Sequence, residues 1–179
     1  MIVDSRLSFA RQLPSPNCSE RPPGAVVDLL VIHNISLPPG CYGGGNIEAL
    51  FDNRLAADAH PYFREIASLR VSAHLLIDRE GAVTQFVPFD KKAWHAGQSS
   101  FRGREACNDF SVGIELEGCD QEPFTDRQYE RLIEVSRLLM VAFPHITPDR
   151  IVGHSDIAPG RKTDPGPCFD WERLRAGCR

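Results

Sequence analysis

The stretch Ile151 to Cys168, IVGHSDIAPGRKTDPGPC, gathers side chains of the kind that chemistry uses: His154, Asp156, Arg161, Lys162 and Asp164. Pro159, Pro165 and Pro167 stiffen it and Gly160 and Gly166 turn it, so it reads as a loop that holds ionisable groups beside fixed backbone. A catalytic zinc takes about three protein ligands from neutral imidazole, carboxylate or thiolate and leaves a further position to water. His154 and Asp164 offer two such ligands, and the Pro-stiffened loop allows them to converge without forcing it. Alone, such a pair is more commonly an ordinary polar loop. A third ligand and a base have to come from elsewhere.

Two strands offer them. Val26 to Ile35, VVDLLVIHNI, is a nearly continuous apolar run of the kind that is buried on both faces. His33 and Asn34 lie at its C-terminal end, where open sheets place ligand sites, although a strand histidine is more often a hydrogen-bonded core residue. The following SLPPGCYGGGN is a Pro/Gly rim or a plain surface loop. In Ser111 to Gly118, SVGIELEG, Val112, Ile114 and Leu116 alternate onto one face and Gly113, Glu115 and Glu117 onto the other. That second face is either solvated or the lining of a cleft. In the latter case Glu115 or Glu117 is a candidate general base, with Gly113 leaving room for a ligand. Trp94, His95, Arg102 and Arg104 make Phe89–Phe110, which reads as a long ordered loop, a candidate wall for a substrate bearing a sugar face and carboxylates. Solvated surface charge is the plainer reading for each arginine.

The elements that must position these groups form an α/β pattern. Residues 1–24 read as an arm in which Pro14, Pro16, Pro22, Pro23 and Gly24 block regular structure. Asn46 is placed to cap a short helix with Ile47, Leu50 and Phe51 inward. Asp52–His74 reads mostly as loop. VSAHLLIDREGAVTQFVP then reads as two strands joined at Asp78–Gly81, with His74 structural. Thr125 with Gln128 forms a capping box, and Tyr129, Leu132, Ile133, Leu139, Met140 and Phe143 follow helical spacing up to Pro144. Asp170 is placed to cap a last helix carrying Trp171 and Leu174. The expected fold is a central mixed β-sheet flanked by helices with long ordered loops, as one domain: the arm, 1–24, and a catalytic unit, 25–179.

Composition narrows the function. The 179 residues suffice for a single core, and a net charge of −4 argues against a nucleic-acid partner. No run approaches the eighteen or so apolar residues of a membrane span. The opening MIVDSRLSFARQLPSP carries Asp4, Arg6 and Arg11 and no apolar core, so a cytoplasmic setting is expected. The six cysteines include no CxxC pair and are expected as reduced thiols.

LLVIHNISLPPG, AHPYF, LRVSAHLLIDREG, VPFDKKAWHAG, GREACNDFSVGIELEG, FTDRQY and GHSDIAPGRKTDPGP together closely resemble the cytoplasmic anhydro-N-acetylmuramyl-L-alanine amidases of bacteria. These belong to the type-two zinc amidases, which share a fold with phage-type amidases and peptidoglycan recognition proteins. The resemblance runs from about Pro14 to Trp171. It implies one Zn²⁺ held by His33, His154 and Asp164, Glu115 as catalytic carboxylate and Lys162 as catalytic lysine. It further implies substrate contacts at Asn34, Arg70, Trp94, His95 and Arg104. The implied reaction is attack by zinc-activated water on the amide between the lactyl group of 1,6-anhydro-N-acetylmuramic acid and L-alanine. Glu115 would move the proton and Lys162 would stabilise the oxyanion. A monomer acting on anhydro-muropeptide in cell-wall recycling, and through it on β-lactamase induction, is the expectation. A muropeptide-binding module without catalysis and an amidase of intact murein are the alternatives.

Overall fold

The computed structural model describes all of residues 1–179. Its arm contributes four short strands, β1 (Ile2–Val3), β2 (Arg6–Leu7), β3 (Arg11–Gln12) and β4 (Cys18–Glu20). The chain then lays down β5 (Leu29–Ile35), the helices α1 (Asn46–Phe51) and α2 (Pro61–Ile66), and the hairpin β6 (Leu75–Ile77) and β7 (Val83–Gln85). After the short strands β8 (Lys91–Ala93), β9 (Ser100–Phe101) and β10 (Arg104–Glu105) come β11 (Ser111–Glu117), α3 (Asp126–Ala142), β12 (Ile151–Gly153), α4 (His154–Ile157) and α5 (Trp171–Gly177). Six strands make one mixed sheet in the order β12-β5-β11-β6-β7-β3, the architecture expected from the sequence. No helix is long and apolar enough to cross a membrane, and all six cysteines are free.

Period-two alternation divides the central strands. Leu30, Ile32, Val112, Ile114, Leu116, Leu75 and Ile77 pack with Tyr129, Leu132, Val135 and Leu139 of α3 and Leu174 of α5 in one apolar cluster. The capping box of Thr125 and Gln128 starts α3, and Asp170 caps α5 by accepting from the Arg173 amide, as the sequence suggested. A second cluster, built on Leu37, Ile47, Leu50, Phe51, Phe63, Leu76 and Phe86, lies beneath α1 and α2. The other residues of β5 and β11, among them His33 and Glu115, are therefore turned away from α3. The parallel register sets Glu115 opposite His33.

Four local expectations change. Prolines do not keep the arm irregular: β3 closes one edge of the sheet and β4 pairs with β8. Leu13 and Ser15 donate their amides to Gln85 and Phe86, while Pro14 and Pro16 occupy the alternate positions, where an edge strand needs no donor. Asp52–His74 holds α2, which Pro61 begins and whose Tyr62 amide is capped by the His60 ring. Asn46 is the first residue of α1 rather than its cap, which is Gly45 in the left-handed region. Phe89–Phe110 is also less irregular than expected, since it carries β8, β9 and β10.

Arg21 fastens the arm to the interior. Its guanidinium donates to the carbonyls of Phe89, Asn108, Asp109 and Ser111, and burial lowers its pKa to about 10. Removing these donors strands several carbonyls at about 1–3 kcal/mol for each one left unpaired. Arg21→Met is expected to lose at least about 2 kcal/mol of stability in urea denaturation; an unchanged midpoint would show the arm to be loosely attached.

Candidate metal centre

The C-terminal ends of β5 and β11 and the loop after β12 meet around one cleft of about 540 Å³. His33, Asn34, Trp94, His95, Glu115, His154, Lys162 and Asp164 all line it. His33 comes from β5, His154 is the first residue of α4, and Asp164 follows in the loop. The Ser155 amide donates to the Asp164 carbonyl at 3.0 Å and folds that loop back on α4.

The decisive geometry is a triangle. His33 Nδ1 lies 3.0 Å from His154 Nδ1 and 3.0 Å from Asp164 Oδ2, and His154 Nδ1 lies 3.1 Å from the same oxygen. His154 Nε2 is 3.1 Å from the Ala96 carbonyl, which can only accept, so in the neutral ring the proton sits on Nε2 and Nδ1 is the nitrogen with a lone pair to offer. Converging lone pairs repel unless a cation lies among them. A tetrahedral shell with zinc bonds of about 2.0–2.1 Å has edges of about 3.3 Å, close to those of the triangle. The donor set of two imidazoles and one carboxylate therefore fits a zinc ion, with room for further ligands on the cleft side.

Electrostatics support the same use. Burial drives the His33 pKa down to about 4, against the pull of the neighbouring Asp164 carboxylate. Burial opposes ionisation of Asp164, yet the neighbouring His154 and His33 outweigh it and hold the carboxyl well below its usual range. Glu115 is 9% exposed and its Oε2 has no hydrogen-bond partner. Burial, with Asp164 adding to it, raises its pKa well above the ordinary value, while Lys162 pulls the other way. Glu117, the other candidate on this strand, accepts from the amides of Gly43 and Arg79 and is committed to the rim.

Comparison with known proteins decides the lineage. Residues 23–167 match the N-acetylmuramoyl-L-alanine amidase family. The chain belongs to that family. It is 59% identical over 93% of its length to the 1,6-anhydro-N-acetylmuramyl-L-alanine amidase AmpD of Salmonella typhimurium, of which 89% is covered. A crystal structure of selenomethionine AmpD superposes with a TM-score of 0.97 at 54% identity, covering 100% of this chain and 99% of the other. The N-acetylmuramyl-L-alanine amidase AmiD from E. coli, in complex with anhydro-N-acetylmuramic acid-L-Ala-D-gamma-Glu-L-Lys, superposes with a TM-score of 0.64 at 29% identity over 88% of this chain and 60% of AmiD. Catalysis, rather than binding alone, is what this amidase shares with its relatives.

Not every residue carried over by resemblance reaches the amidase cleft. Arg104 pairs with Asp28 and lies over the Phe110 ring, 3.8 Å from its centroid, outside the cleft lining. Arg70 is exposed and donates to the nearby carbonyls of Ser68 and Leu69, although its neighbours Leu69 and Val71 line the cleft. Gly113 leaves no space for a ligand, because a Cβ there would meet the His95 ring at 2.5 Å. Sequence reading missed Asp120, whose Oδ1 accepts from Asn34 Nδ2 at 2.7 Å while the Pro165 carbonyl accepts from the same amide group at 3.1 Å. Both Asn34 protons are thereby used, leaving its oxygen as an acceptor. A Cβ on Gly166 would strike Asp120 at 2.5 Å, and Gly166 also has φ +82°. The position of Asp120, just past the C-terminal end of β11, was the available signal.

Buried imidazoles make the metal-free protein acid-sensitive. His74 is lowered from 6.5 to about 3 by burial and then by Arg21, and burial also lowers His33 and His95. The unfolded chain protonates these rings near pH 6.5, so below that it binds more protons than the folded chain and stability falls with pH. Glu115 acts oppositely, as one carboxyl against three rings. Urea midpoints of metal-free protein are expected to drop between about pH 7 and about pH 5; a flat or rising profile would contradict the assigned neutral rings.

Proposed function

We propose that this amidase is a cytoplasmic, monomeric zinc enzyme. Its reaction would be hydrolysis of the amide between the lactyl group of 1,6-anhydro-N-acetylmuramic acid and L-alanine of the stem peptide, within peptidoglycan recycling. One observation carries the reading: the 3.0–3.1 Å triangle of His33, His154 and Asp164 stands beside a buried, unpartnered Glu115 in one cleft. The substrate class is supported by likeness to proteins described as 1,6-anhydro-N-acetylmuramyl-L-alanine amidases. The catalytic unit is assigned to residues 25–179, with the arm completing its sheet.

His33, His154 and Asp164 hold the zinc, which when bound polarises a carbonyl and lowers the pKa of a water towards neutrality. Glu115 takes the proton of the attacking water and delivers it to the L-alanine nitrogen, without which an amide does not leave. Its raised pKa suits it to both halves of that transfer, since a carboxyl that ionises too easily is a poor acid. Lys162 places its cation against charge developing on the carbonyl oxygen. The indole of Trp94 is held by a 3.1 Å hydrogen bond from Nε1 to Ser19 Oγ and offers its ring to the sugar. Asn34 presents its amide oxygen to a stem-peptide N–H, and the exposed Arg70 meets stem-peptide carboxylates at the rim.

Zinc stoichiometry and product analysis on a defined anhydro-muropeptide test the reading. One zinc per chain, with release of the free stem peptide, is expected; intact muropeptide after incubation would overturn it, and faster turnover of whole sacculi would reassign the substrate. Asp164→Ala is expected to lose both zinc and turnover. Glu115→Gln is expected to keep zinc while hydrolysis slows by at least about 100-fold; wild-type kinetics in that variant would remove Glu115 from the proton transfer.

A further inference from the structure

His95 and Ala96 are consecutive residues that touch both imidazoles of the metal centre from behind. The Ala96 carbonyl lies 3.1 Å from His154 Nε2, and His95 Nδ1 lies 2.9 Å from His33 Nε2. The amides of both residues donate to Asn108 Oδ1, at 3.1 and 2.8 Å, which fixes the dipeptide in place. Beyond His95, its Nε2 lies 3.0 Å from Ser111 Oγ. His95 and Ser111 are 8% and 0% exposed, so water does not replace these contacts.

We propose that His95 and Ser111 form a relay that fixes which nitrogen of His33 faces the ion, making them positioning residues for the metal rather than substrate contacts. The inference rests on the zinc reading above. For His33 Nδ1 to keep a lone pair for the ion, its proton must sit on Nε2. His95 Nδ1 must then accept, so the proton of His95 sits on Nε2 and needs an acceptor of its own. Ser111 Oγ is that acceptor. The reverse direction would put a proton on His33 Nδ1, inside the triangle of lone pairs. Space for the relay is built into β11: Gly113 occupies the middle of a fully buried strand, and any Cβ there would enter the His95 ring. Glycine weakens a strand interior, and here it admits the ring.

Zinc affinity, measured on the full chain by competition with a chromophoric chelator, tests the relay independently of activity. His95→Leu removes both hydrogen bonds and is expected to weaken zinc binding by about 10–100-fold, the usual effect of losing an outer-shell partner. His95→Asn places an amide oxygen where Nδ1 accepted and is expected to recover most of that loss. Ser111→Ala removes only an oxygen and is expected to weaken binding by several-fold with little change in the metal-free urea midpoint. The Ser111 variant carries the test if His95→Leu does not fold. Zinc binding within about threefold of wild type in both folded variants overturns the relay, as does an Asn variant no tighter than Leu, which would reduce His95 to packing. A wild-type chain that binds no zinc overturns the underlying metal reading instead.

Discussion

The parallel pairing of β5 with β11 is the constraint on which the site depends. It places Glu115 opposite His33, and strand alternation turns both away from the apolar cluster beneath α3. Because side chains alternate with a period of two, a slip of one residue would carry either group to the opposite face and into hydrocarbon. β12 pairs with β5 on its other side, and α4 follows directly, so His154 is delivered to His33 by the same sheet. Three of the groups central to the chemistry are thus fixed by backbone hydrogen bonds. Asp164 and Lys162 are held instead by a loop, which the Ser155 amide draws back to α4.

Burial is what gives these groups their character. The His33 imidazole is kept neutral in a poorly solvated interior and remains available to donate a lone pair, while the Glu115 carboxyl in the same surroundings holds its proton more tightly than in water. Lys162 lowers the pKa of Glu115 and Asp164 raises it, so the two charges flanking the carboxyl act against each other. The contrast with Glu117 is instructive. It is equally buried on the same strand face, yet two backbone amides occupy it and its role is to hold the rim.

Much of this was legible in the residues. The alternation in SVGIELEG, the continuous run before His33, the capping box at Thr125 and the turn at Asp78–Gly81 each reflect a local rule that the fold obeys. The ligand triad was not derivable from spacing, because His33 lies far in sequence from His154 and no local signal records which strands pair. It entered through resemblance, and the structure brings the atoms together. The arm was misread because Pro14 and Pro16 were taken to block regular structure, whereas an edge strand accepts proline where a position needs no N–H. Arg104 was misplaced for a related reason. An arginine in a loop rich in chemistry looks available until its partner, here Asp28 from a distant segment, is known.

The edge formed by the arm has a consequence for the molecule in a crowded cell. An exposed sheet margin is a template on which a second chain can add, the first step of fibrillar association. At Pro14 and Pro16 the outward positions hold imide nitrogens without hydrogens, while the amides of Leu13 and Ser15 point inward and are spent on the neighbouring strand. An incoming chain would find carbonyls there and no matching donors. The proline-rich beginning of the sequence thereby finishes the sheet and, past β3, leaves its margin short of the donors that an added strand would need.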